Sequence, residues 1–161
     1  MKIGIDIGRV IIGGNGEDTF FTDEYLDTPE VEGAYESIEN IVYGKEPTVV
    51  GQTEEDPLGK LLIQNEIHFI SKCGKVVEDK TMEWLYDHKY YYLINNQNIH
   101  FVRKRHLKAP MAQALELDIF IDDRVDIIDS MEMVVKHRIL FIDWEHTNRE
   151  LKRIFDEAAE G

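Results

Sequence analysis

The chain has 161 residues, of which 43% are hydrophobic. That is the length of one domain with enough apolar material for one core, which argues against disorder. Acidic residues outnumber basic ones by 32 to 18, for a formal net charge of −14, and such a field disfavours nucleic acid as a partner. The single cysteine, Cys73, allows no internal disulfide and fits a reducing compartment. No apolar run approaches the ~20 residues that span a bilayer. The N-terminus runs straight into an apolar segment without the regions of a signal peptide. The expectation is a soluble, cytoplasmic protein with no membrane partner, its oligomeric state left open.

Lys2 to Ile7 reads as a buried strand, because Ile3, Ile5 and Ile7 are β-branched and the run ends in Gly8. The stretch from 11 to 28 reads as a short flap. Pro29 and Glu30 open a helical pattern that keeps Val31, Ala34, Ile38, Ile41 and Val42 on one face. Residues 44 to 65 read as an insertion of mixed Pro, Gly and acidic character. Ile67 to Ile70 is a second strand, closing on Ser71, and Val76 to His88 has helical spacing. His100 to Val102 is a third strand, followed by a short helix from Ala109 to Leu115. Ile119 to Ile121 runs into Asp122 and Asp123, Val125 to Met133 reads as helical, and Ile139 to Ile142 is a last strand. Thr147 is the expected cap of a closing amphipathic helix to Ala159. Strand and helix thus alternate about five times, which predicts a parallel sheet covered on both faces.

Ligands of such sheets bind outside the carboxyl ends of the strands. There the sequence places Asp6 and Gly8, then Ser71, then the basic run Arg103 to Lys108, then Asp122 and Asp123. Carboxylates from two strand ends suit one Mg²⁺, a hard ion that takes oxygen ligands and relieves the repulsion between them. Ser71 and a lysine supply donors for phosphoryl oxygens, and Asp6 is placed to act as a nucleophile. The basic run itself reads as a solvated loop and helix start, as an anion-binding element of that site, or, least in keeping with the acidic chain, as a nucleic-acid surface.

These residues carry a resemblance to the haloacid-dehalogenase-like phosphohydrolases. Asp6-Ile7-Gly8-Arg9-Val10 is similar to their first motif, Asp-x-Asp-x-(Thr/Val). Ile67 to Ser71 resembles the second, an apolar strand ending in Ser or Thr. Lys108 resembles the third-motif lysine, with Lys104 as its competitor, and Ile121-Asp122-Asp123-Arg124 resembles the paired-acid fourth motif. The resemblance spans residues 1 to about 142 and looks closest to a small subgroup without a large cap.

It implies one three-layer, doubly wound, Rossmannoid α/β domain over residues 1–161, with the 11–28 flap and the 44–65 insertion as its embellishments. It further implies a phosphatase acting through an aspartyl-phosphate on Asp6. Ser71 and Lys108 would bind phosphate, and Asp6, Gly8 through its carbonyl, Asp122 and Asp123 would hold Mg²⁺. One departure stands out. The second acid of the first motif, the usual proton donor, is Gly8 here. A slow enzyme acting on a small phosphorylated substrate is therefore one expectation, and a non-catalytic module that binds metal and phosphate is the other. Ile3 to Gly8 also resembles the opening of sugar kinases and actin-like ATPases, but Val10 stands where their threonine belongs.

Overall fold

The computed structural model describes residues 1–14, 22–44, 49–50, 60–61 and 64–161. In chain order its elements are β1 (Lys2–Ile5), α1 (Ala34–Tyr43), the short strands β2 (Val49–Val50) and β3 (Lys60–Leu61), β4 (Glu66–Lys72), α2 (Lys75–Asp87), β5 (Ile99–Val102), α3 (Lys108–Ala114), β6 (Ile119–Asp122), α4 (Val125–Ser130), β7 (His137–Leu140) and α5 (Trp144–Glu160). Five of the strands form one sheet in the order β5-β4-β1-β6-β7, and every pairing in it is parallel. The protein is therefore an α/β protein built on an all-parallel sheet, as the alternation of patterns predicts. Among the described residues, no helix is long and apolar enough to cross a membrane.

The order fixes where a ligand fits. From central β1 the chain winds outward through β4 and β5, then crosses back to β6 and winds the other way to β7. Connections on either side of the β1–β6 pair thus leave in opposite directions, which opens a crevice at their carboxyl ends.

Strand alternation sends neighbouring residues to opposite faces. Ile3, Ile5, Ile67, Phe69, Ile119 and Ile121 pack in one buried cluster with Ile38 and Ile41 of α1, Trp84 of α2 and Leu151 and Ile154 of α5. Ile70 and Phe120 face the other way and pack with Ala112 of α3 and Ile127 of α4. Gly4 pairs with Phe120 across the β1–β6 ladder. A Cβ at Gly4 would lie 2.5 Å from Leu117 Cδ1 and 2.7 Å from Phe120 Cδ2, so the absence of a side chain there is what lets that face close.

Several boundaries differ from the sequence expectation. β1 stops at Ile5, and Ile7 to Ile12 forms a tight turn in which the amides of Val10, Ile11 and Ile12 all donate to the Ile7 carbonyl. Two buried indoles fix the segment that follows: Trp144 Nε1 donates to the Val10 carbonyl at 2.8 Å and Trp84 Nε1 to the Thr28 carbonyl at 2.9 Å. Helix α1 begins at Ala34 and not near Pro29, because Gly33 takes a left-handed conformation (φ 81°) that breaks the run. β4 continues past Ser71, since Ser71 and Lys72 pair with Phe101 and Val102 of β5. Thr147 is not the cap of α5. That role belongs to Asp143, whose Oδ1 accepts from the His146 amide at 2.7 Å, while the Thr147 hydroxyl is buried with no partner among the described residues.

The two ends of the expected flap are joined, with Ile12 bridging to both Gly8 and Glu30 and the Gly13 amide donating to the Pro29 carbonyl at 2.7 Å. Within the expected 44–65 insertion, β2 and β3 pair antiparallel. The flap's later part, residues 22–28, includes a short 3-10 turn at Tyr25–Asp27, whereas residues 15–21, 45–48, 51–59 and 62–63 lie outside the described residues.

Candidate active site

Asp6 directly follows β1, and its amide donates to the Ile121 carbonyl at 2.9 Å. That bond extends the β1–β6 pairing by one step and brings Asp6 alongside Asp122, the last residue of β6. Between them stands Lys108, the first residue of α3, whose Nζ donates to Asp6 Oδ1 at 2.9 Å and to Asp122 Oδ2 at 2.8 Å. All three residues are buried. The other Asp122 oxygen, Oδ1, accepts from the Arg124 amide at 3.0 Å, in the turn that starts α4. Asp122 is therefore held at both oxygens.

Asp6 Oδ2 has no hydrogen-bond partner among the described residues. The only fully enclosed polar side-chain atom lacking a partner there is Thr147 Oγ1, so Asp6 Oδ2 keeps a line to solvent. Asp123 completes the group. It is half-buried, and one carboxylate oxygen from each of Asp6, Asp122 and Asp123 lies within 4.8 Å of the others. This is an all-oxygen donor set of the kind hard divalent cations take.

The electrostatics follow from burial. Loss of water pushes the Asp6 carboxyl up to about 8; the Lys108 ammonium opposes the shift and the Asp122 charge adds to it. Asp122 is also raised, again chiefly by burial and against the pull of Lys108. Burial works against the Lys108 ammonium too, but its two carboxylate partners more than offset this and leave it above the ordinary lysine range. One positive charge thus serves two buried acids and cannot fully satisfy both. The cluster carries an excess of potential negative charge.

Of the residues expected from the sequence, Asp6, Lys108, Asp122 and Asp123 converge. Lys104 does not: it lies exposed on the loop before α3, whereas Lys108 reaches the acids. Ser71 is buried on β4 beside β1, where Ile5 pairs with Phe69. It stands at the level just beyond Asp6 but makes no hydrogen bond to the cluster among the described residues. Gly8 is exposed at the start of the tight turn, with ordinary backbone torsion, and a Cβ there would meet nothing within 4 Å. Cys73 is an almost fully buried thiol, raised by that burial and opposed by Arg103; it is no activated nucleophile.

Sequence reading missed two contacts that depend on the fold alone. The Arg124 amide on Asp122 is one. The other is the contact of His68 Nδ1 with His100 Nε2 at 3.1 Å, with Glu66 on the far side of His68 at 2.9 Å. No periodicity signals it, because it arises from the parallel β4–β5 register. No protein-family model and no curated protein matches the chain.

Proposed function

We propose that the chain is a magnesium-dependent phosphohydrolase of the haloacid-dehalogenase-like type, acting on a small phosphorylated substrate through a covalent phosphate on Asp6. The observation that supports it most is the buried Asp6–Lys108–Asp122 array at the β1–β6 switch point, with one Asp6 oxygen left free. The order in which these residues occur matches the four motifs of that family, and each falls at the end of a strand or the start of a helix.

A Mg²⁺ ion bound by Asp6, the Gly8 carbonyl, Asp122 and Asp123 would offset the negative charge gathered there and withdraw charge from the phosphoryl oxygens. The protein's own groups do the rest. Asp6 Oδ2 attacks phosphorus as the bond to the ester oxygen breaks, and the electron pair leaves on that oxygen. Lys108 holds Oδ1 in place and faces the equatorial oxygens with its charge, while Ser71 offers a hydroxyl donor. Water then attacks the phosphorus of the acyl phosphate, and the bond to Asp6 breaks to release phosphate and the free carboxylate.

The test is hydrolysis of an aryl phosphate with Mg²⁺. Asp6→Asn should reduce the rate to background, and Asp122→Asn should weaken Mg²⁺ binding by about 10-fold or more in calorimetric titration. A wild-type rate in Asp6→Asn sinks the nucleophile assignment.

A second reading has one observation in its favour. No carboxylate stands at position 8 to transfer protons, and the space a side chain would fill there is empty. On that reading the chain is a module that binds metal and phosphate without turnover. Phosphate and Mg²⁺ binding with no hydrolysis of aryl or acyl phosphates would decide for it.

A further inference from the structure

The basic run Arg103 to Lys108 has a structural outcome that the reaction leaves unused. Only Lys108 enters the acid cluster. Arg103 to His106 line a cleft of about 590 Å³ between the β5–α3 connection and α4, together with Lys72 at the end of β4 and Asp126, Ile127 and Ser130 of α4. Arg103 to His106 lead along the chain to Lys108, and Asp126 and Ile127 follow Asp122 within the next few residues, so the segments that line the cleft also carry two members of the acid cluster.

Its charge is opposite to that of the whole molecule. In a chain of net charge −14, the cleft gathers Lys72, Arg103, Lys104, Arg105 and His106 against the single carboxylate of Asp126. That carboxylate is already taken by Arg124, at 3.0 and 3.2 Å. Arg103 is also committed: it donates to the Cys73 carbonyl at 2.9 Å and to Glu78 at 3.1 Å, which ties the loop to the β4–α2 connection. Lys72, Lys104 and Arg105 are exposed and have no ion-pair partner among the described residues. A loop pinned by Arg103 thus presents to the cleft cations that have no ion-pair partner among the described residues.

We propose that this cleft is a second anion subsite, so that the ligand carries two separated anionic groups, one at Lys108 and one on Lys104, Arg105 and Lys72. The inference rests on the proposed phosphate-binding role of Lys108 and adds a substrate class to it: small bisphosphates or phosphates with a distal carboxylate. The cleft has the size of a small-molecule site, ~300–1,000 Å³. A long polyanion would run off these few cations onto an acidic surface.

The probes are propylphosphonate and propane bisphosphonate, whose P–C bonds resist hydrolysis, titrated calorimetrically with Mg²⁺ present. The expected result is at least roughly 10-fold tighter binding of the bisphosphonate, from charge-assisted hydrogen bonds to the second group. Lys104→Ser with Arg105→Ser should erase that advantage and leave the monophosphonate unchanged. Both positions are exposed, so the fold should tolerate the changes. No advantage for the bisphosphonate, or an advantage that survives the double substitution, overturns the subsite while monophosphonate binding keeps the central reading intact. Failure of both probes to bind overturns both. Tighter binding of a short single-stranded oligonucleotide that depends on Lys104 and Arg105 overturns it in favour of a nucleic-acid surface.

Discussion

Position 8 separates the two functional readings more sharply than any other residue. A positioned general acid contributes about 10²–10⁴-fold to a phosphoryl transfer step, roughly 3–5 kcal/mol of barrier. On the phosphohydrolase reading, glycine there leaves the ester oxygen to depart on its own stability as an anion. Hydrolysis should therefore fall steeply as the leaving-group pKa rises, with aryl phosphates far ahead of alkyl phosphates. Gly8→Asp should flatten that dependence and accelerate alkyl phosphates most. The substitution is structurally available, because Gly8 has no left-handed torsion and an added Cβ meets nothing within 4 Å. A monoester series assayed with both proteins measures the slope. Equal wild-type rates on alkyl and aryl esters would show that the acid step is not crippled.

Strands and helices place the acid cluster, and their packing can be perturbed without touching it. Gly4 lies on β1 two residues before Asp6, beneath Phe120 and Leu117, which are both buried. Gly4→Ala forces a methyl group into that contact and should cost about 1–3 kcal/mol of stability, measured by denaturant titration. A neutral effect would show that Leu117 and Phe120 repack freely. The same strand shows why much of the fold is legible in sequence. Runs such as Ile3–Ile5 and Ile119–Ile121 are apolar on both faces, as a doubly covered parallel sheet requires, and acids directly after them land at the crevice. What could not be read was set by tertiary contact. The choice of Lys108 over Lys104 depends on which side chain reaches two acids from different strands. The extension of β4 through Ser71 depends on β5 lying beside it, and the start of α1 on the torsion of Gly33. Asp143 outcompeted Thr147 as a cap because the backbone reached its helical conformation one turn earlier, leaving Thr147 inside α5.

At the scale of the whole molecule, two forces make stability fall as pH rises, and they are separable. One is self-repulsion of a chain carrying a formal −14, which salt screens within about 10 Å at 0.1 M. The other is local. Asp6 ionises near its usual value of 3.8 when unfolded and at about 8 when folded, so between those limits the folded state holds a proton that the unfolded state has lost. Stability contributed by the neutral form is full below 3.8 and is lost progressively up to about 8; Asp122, raised for the same reason, acts in the same direction. Lys108 opposes neither within this window, since its raised pKa matters only above the ordinary lysine value of 10.5.

In chelator, the melting temperature should therefore drop between about pH 5 and about pH 8, and salt should recover only part of the loss. Asp6→Asn keeps an acceptor for Lys108 but removes the charge. It should flatten the profile and melt higher than wild type at the upper pH, with about 2–4 °C for each kcal/mol relieved. Mg²⁺ should raise the wild-type melting temperature more at the upper pH than at the lower, because its ligands must be ionised to bind it. A wild-type profile that salt alone levels, unchanged by Asp6→Asn, would assign the pH dependence to general repulsion and remove the buried acid as its source.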